Sequence, residues 1–531
     1  MDEFDFVVVG AGSSGGPIVD RLTAGGRYSV LLLEAGPDAT NRWLNIPLGF
    51  AKTFLDPSVN WKFATEPEDH LGGRQVYWPR GKVVGGSSAI NGMVYIRGLP
   101  SDYDSWRQMG NEGWSFDDCL PYFRRLEGHV DGGNELRGGD GPVKITQSEY
   151  RNELGETFLA ACTEVGVGEI TDFHSQPDGA AYYHATISDG RRVSTERAYI
   201  RQARARANCK LVTNALAERV TVENGRATGV AYRVGKTVRT AKARREVILC
   251  AGAIGSPQLL QLSGIGPGAL LQGLGIPVVR DMPGVGENLQ DHYGLRSTYR
   301  TWWRLTVNDD INFVHRRLSA AVEYALLRTG PLTASPAFAG AMVRLMPHSQ
   351  EPDTQIHFFP WSTDRIDKGP HKFSGFSMLA NQSRPESRGH VRAVSPDPAK
   401  APAIVANYLS TETDRRASIA AARFVRLLAR TTALGRLITE EVLPGVEVWS
   451  DQDFLDYSRK EGQSAYHPVG TCRMGSDPGA VVDPRLKVHG IPGLRVVDAS
   501  IMPTLISTNT NAACMMIGEK AADMILADAR A

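Results

Sequence analysis

Gly10, Gly12 and Gly15, in the run Gly10-Ala11-Gly12-Ser13-Ser14-Gly15, could hold a pyrophosphate. They follow an apolar strand-like run, 6–9, and open a segment with helical spacing, 17–22. In such a turn the first glycine permits the tight bend and the second lets the backbone approach the phosphates. The third lets helix and strand pack closely. The phosphates then face the free N–H groups and the positive end of the helix dipole. The bare pattern is weak, because glycine turns abound. Glu34 strengthens it: it closes a second apolar run, 30–33, roughly 20 residues after the last glycine, where an acid can bind ribose hydroxyls. With Ala35 and Gly36 behind it, this indicates a dinucleotide and does not separate FAD from NAD.

The opening therefore reads as a βαβ unit, and its continuous apolar runs suit buried strands of a parallel sheet. From 41 to 140 the chain is rich in Gly, Pro and Trp and predicts extended loops. Residues 212–251 alternate like antiparallel strands around a turn at Asn224-Gly225. From roughly 300 to 462 helical stretches (314–327, 415–428) mix with strand-like pieces such as 355–359, which reads as a second unit inserted into the first. The tail, 494–531, gives a strand, a polar turn and a helix.

Length and composition bound the function. A chain of 531 residues is long for one domain and comfortable for two. With 42% apolar and 22% charged residues it is an ordinary globular protein. Lys plus Arg (59) balances Asp plus Glu (58), against the basic excess of a nucleic-acid binder. The alternating arginines of 201–206 read as a solvated helix face. Six cysteines without metal spacing read as reduced core thiols, with no metal site expected. No secretory signal or membrane-spanning stretch is visible, so a cytoplasmic location is expected, with peripheral membrane docking left open.

Four ordered motifs resemble those of the glucose–methanol–choline (GMC) oxidoreductases. The run 81–91, Gly-Lys-Val-Val-Gly-Gly-Ser-Ser-Ala-Ile-Asn, is similar to the family's first signature. The run 252–266, from Gly252-Ala253-Ile254-Gly255-Ser256-Pro257 to Ser263-Gly264-Ile265-Gly266, is similar to the second. Tyr466-His467-Pro468-Val469-Gly470-Thr471 resembles the catalytic-histidine block, and Asn509-Thr510-Asn511-Ala512 the closing block. The likeness spans nearly the whole chain, is weakest from about 300 to 364, and looks nearest to bacterial choline, sorbose and polyethylene-glycol dehydrogenases.

The resemblance implies an α/β fold. A Rossmann-like FAD-binding domain is built from 1–155, 210–300 and 462–531, and a substrate domain with a mainly antiparallel sheet from 156–209 and 301–461. It implies FAD held without a covalent bond, since Ala89 stands where some members tether the flavin through histidine. It implies an alcohol substrate and an electron acceptor, quinone-like or oxygen, with a homodimer possible. Hydride would pass to flavin N5, with His467 as base and Asn511 polarising the substrate oxygen. Asn509 could cap the following helix. Cofactor contacts are implied at Arg80, Gly86, Asn91, Gly92, Val94, Val220, Ala251, Asp498, Ala499 and Thr510. For Asp498 a strand-end turn role competes. His292 reads as structural or pocket-lining. Gly92 would open space over the flavin, and Tyr466, Phe358, Phe359 and Trp361 would wall the substrate pocket. A dehydrogenase reading leads, with an oxidase as rival and a hydroxynitrile lyase further off. Choline would call for an aromatic cage with a buried acid.

Overall fold

Strand β1, Asp2–Val9, is buried from Phe6 onward and runs parallel to β2, Val30–Leu33. Between them lies helix α1, Gly15–Ala24, whose Ile18, Val19 and Leu22 are buried. The structure is a computed structural model that describes residues 2–147, 150–364 and 368–530.

The first sheet runs in the order Cys209–Val212, β2, β1, Thr237–Leu249, Arg226–Val234, Ala215–Glu223. Its first four strands are parallel and its last two turn back antiparallel. Leu494–Val496 adds a parallel partner to Thr237–Leu249. The sequence reading of a parallel sheet joined to an antiparallel hairpin at Asn224-Gly225 holds. The closing helix, Asn511–Arg530, packs against α1. This brings the C-terminal end of the chain beside the N-terminal glycine turn.

The second sheet is antiparallel, in the order Ile438–Leu443, Tyr293–Thr301, Gly375–Gln382, Thr354–Phe359, Ala339–Val343, Gly179–Tyr182. Helices Glu153–Glu164 and Glu412–Ala429 cover one face, where Phe158, Phe358, Phe376, Met378, Val425 and Leu428 form a core. The other face roofs the cavity described below. The chain crosses into this sheet at Tyr293 rather than after 300, because Tyr293–Thr301 pairs along its length with Gly375–Gln382.

Candidate active site

His467 sits in a loop held by fixed polar contacts. Tyr466, before it, has φ 69°, a left-handed conformation that non-glycine residues keep only when neighbours enforce it. Tyr466 N donates to Ser464 Oγ (2.7 Å), and Arg80 Nη2 donates to the Tyr466 carbonyl (2.6 Å). His467 N donates to Asp291 Oδ1 (2.6 Å), while Asp291 Oδ2 accepts from Tyr408 and Ser464 hydroxyls. Burial pushes the Asp291 carboxyl up to about 6. Asp291 adjoins His292 in the sequence, yet its anchoring role emerges only in three dimensions.

The imidazole itself is one link in a chain of hydrogen bonds that dictates where protons sit. A backbone carbonyl can only accept, so His292 Nε2, 2.9 Å from Ser383 O, must carry a proton. In the neutral ring His292 Nδ1 is then the acceptor. It lies 2.9 Å from His467 Nδ1, which must therefore be the donor. His467 Nε2 is left with its lone pair, facing Asn509 Nδ2 at 3.0 Å. Gln355 Nε2 donates to Asn509 Oδ1 (3.2 Å), which turns the amide nitrogen toward the imidazole. Burial, with the nearby His292, His357 and Arg80, holds His467 well below its ordinary value. Burial likewise brings His292 down to about 4, so both rings are neutral at pH 7.

A cavity of about 460 Å³ runs from Glu34 to His467. The first glycine turn supplies Gly10, Gly12, Ser13 and Ser14 to its wall, and Glu34 and Ala35 follow. Glu34 accepts from Ala11 N and Gly36 N, and burial raises its carboxyl to about 7. Arg80, Gly86, Asn91, Gly92 and Val94 also line it, with Ala251, Asp498, Ala499 and Thr510. The second glycine turn meets the first so closely that a Cβ on Gly86 would lie 2.6 Å from Gly12 Cα. Arg80 keeps its Nε buried without a hydrogen-bond partner. A glycine-walled cradle beside a guanidinium with one N–H unspent fits the pyrophosphate and ring of a flavin dinucleotide. Phe359, Trp361 and Tyr466 wall the histidine end, joined by Phe50 of a short helix, Phe50–Thr53, and Phe54 just after it, where the sequence predicted extended loops.

Several sequence expectations change. The side chain beside His467 is Asn509; Asn511 opens the closing helix and accepts from Ser13 Oγ (2.7 Å). Asn509 rather than Asn511 thus stands beside the imidazole, although both line the cavity. Val220 is buried away from the cavity, its N–H spent on Ser263 Oγ, and Ala215, Leu216 and Ala217 line that end instead. Gly15 packs rather than lines, since a Cβ there would lie 2.0 Å from Gly10 O. Phe358 points into the sheet-helix core because strand alternation sends His357 and Phe359 to the cavity. The Asp498 carboxylate takes the turn role, accepting from Gly252 N, Ser256 Oγ and Ser500. The space Gly92 leaves is met by Pro336, 3.3 Å from where its Cβ would be. His292 is structural and absent from the wall.

The chain matches the N-terminal GMC oxidoreductase family model over residues 4–294 and the C-terminal GMC oxidoreductase model over 385–518. It is 39% identical to an oxygen-dependent choline dehydrogenase of Vibrio vulnificus, covering 99% of this chain and 95% of that one. Identity is 41% with the protein of the same name from Serratia proteamaculans, over 98% and 96%. Among solved structures, pyridoxine 4-oxidase from Mesorbium loti is 30% identical with a TM-score of 0.88, covering 98% of each chain. A fungal aryl-alcohol oxidase, 27% identical, covers 100% of both with a TM-score of 0.87.

Proposed function

The chain belongs to the GMC oxidoreductase family and is an FAD-dependent oxidoreductase acting on CH–OH donors, and from that premise we propose that His467 Nε2 takes the hydroxyl proton of an alcohol that becomes an aldehyde or ketone. One observation carries this reading: a neutral imidazole whose lone pair is fixed toward the cavity by His292 and the Ser383 carbonyl, beside an amide donor. Bound FAD, held without a covalent link, supplies the hydride acceptor.

The protein's own groups prepare the alcohol. Asn509 Nδ2 can donate to the substrate oxygen while His467 Nε2 accepts its proton, so developing negative charge on oxygen meets a fixed dipole. The proton then resides on His467 Nε2, and the imidazolium shares its Nδ1–H with neutral His292. Asp291 holds the loop backbone throughout. The antiparallel sheet over the cavity excludes water, and the aromatic walls orient the carbon skeleton.

Two acceptors fit the reading. A dehydrogenase would pass electrons to a quinone-like acceptor; oxygen is favoured by the relatives' printed name and by the oxidases among the solved neighbours. Mixing the yellow holoenzyme anaerobically with a panel of alcohols is expected to bleach the flavin, and admitting air then separates the two. Stoichiometric hydrogen peroxide with rapid return of colour selects the oxidase. A flavin that stays bleached in air and recolours only when a quinone is added selects the dehydrogenase, and a flavin unbleached by every alcohol removes the proposed function.

A further inference from the structure

Arg296 stands on the cavity wall, on strand Tyr293–Thr301 of the second sheet. Register sets it opposite Leu379, and Leu379 opposite His357, all three of which line the cavity. Arg296 and His357 are thus two strand spacings apart, about 10 Å at the backbone. His357 is close enough to His467 to help hold that imidazole below its ordinary value.

The guanidinium is poorly satisfied. Nη1 donates to the Thr363 carbonyl and Nη2 to Gln463 Oε1, each at a long 3.3 Å, and Nε is buried without a partner. Its Cζ lies 5.9 Å over the Trp361 ring. Among the described residues no carboxylate forms an ion pair with it. Arg97, Arg426 and Arg495, more deeply buried than the half-buried Arg296, each pair with a glutamate. Burial pulls the Arg296 pKa down, but arginine stays charged in proteins. An uncompensated cation that is half-buried still carries a desolvation cost, and one that faces a cavity is matched when an anion enters.

We propose that Arg296 is an anion subsite, so that the alcohol oxidised here carries a carboxylate at the end remote from its hydroxyl. This rests on the alcohol-oxidation reading above. The planar guanidinium offers a carboxylate the Nη–H groups that its two long bonds to Thr363 and Gln463 leave over. Phe50, Phe54, Phe359, Trp361 and Tyr466 enclose the carbon body between that end and His467. A quaternary ammonium could use the same aromatic faces, but it would meet a guanidinium with no acid to balance it. Among the described wall residues the carboxylates are Glu34 and Asp498, both already engaged by backbone and hydroxyl donors. The subsite thus separates this chain from a choline-oxidising enzyme.

The test uses holoenzyme with three probes, 4-(hydroxymethyl)benzoate, benzyl alcohol and choline, measuring both binding by flavin absorbance and anaerobic flavin reduction. The carboxylate is expected to bind and react about 30-fold or more better than benzyl alcohol, the scale of a buried charge pair. In Arg296→Gln that ratio should fall to near one, and Arg296→Lys should restore part of it. Equal use of the first two probes, preference for choline, or a ratio unchanged in Arg296→Gln would overturn the subsite while leaving alcohol oxidation standing. A flavin reduced by none of the three, with the carboxylate still bound 30-fold tighter than benzyl alcohol, would keep the subsite and count against the oxidation reading.

Discussion

His467→Ala is expected to reduce flavin about 10²–10⁴-fold more slowly than the wild type when mixed anaerobically with alcohol, the span general base catalysis ordinarily contributes. FAD content should be unchanged. The substitution leaves the loop intact, because Asp291 holds residue 467 through its backbone N–H and Arg80 holds the Tyr466 carbonyl. It deletes the acceptor that faces Asn509 and leaves His292 Nδ1 without its donor. The alcohol proton then has no nearby base whose lone pair is fixed toward the cavity. Stopped-flow absorbance reads the rate, and the flavin spectrum before mixing shows whether the cofactor is still bound. A rate within a few-fold of wild type would take the base role away from this residue.

Gly86→Ala is expected to give a protein purified nearly colourless, with FAD affinity lowered about tenfold or more, a loss of roughly 1.4 kcal/mol. Two effects act together. At φ +53° an alanine is strained, and its Cβ would stand 2.6 Å from Gly12 Cα, a backbone atom that cannot turn aside. The two glycine turns must then separate where both border the cavity. The rest of the first sheet does not pass through this contact, so the apoprotein should remain folded. Flavin absorbance per protein and titration with added FAD measure the change. Wild-type affinity in a folded variant would show that the contact between the turns is irrelevant to the cofactor.

The local part of the site was readable because its chemistry is local. A strand, a glycine turn and a helix lie contiguous in sequence, and Glu34 is displaced by one βαβ step, so their meaning needs no distant contact. The pairing of Asn509 with His467 was not readable, since it depends on where the closing helix begins. Starting at Asn511, the helix turns that side chain onto Ser13, 498 residues away, and leaves Asn509 in the preceding loop. Phe358 failed for a different reason. The strand-like run 355–359 was plain, but which face meets the cavity is decided by the helices covering the other side. Val220 lost its expected role because its N–H donates to a residue 43 positions on. Arg296, Gln355 and Asp291 matter through cross-strand register and partners in other segments, which no spacing in the chain encodes.

A network running from the Ser383 carbonyl through His292 to His467 implies one proton arrangement, and nitrogen NMR of histidine-labelled holoenzyme reads it directly. His467 is expected to show a protonated Nδ1 and a bare Nε2, with no titration between pH 8 and pH 6, since its surroundings hold it well below the ordinary value near 6.5. A proton found on Nε2 at pH 7, or a midpoint at or above 6.5, would contradict the assignment of this nitrogen as the base.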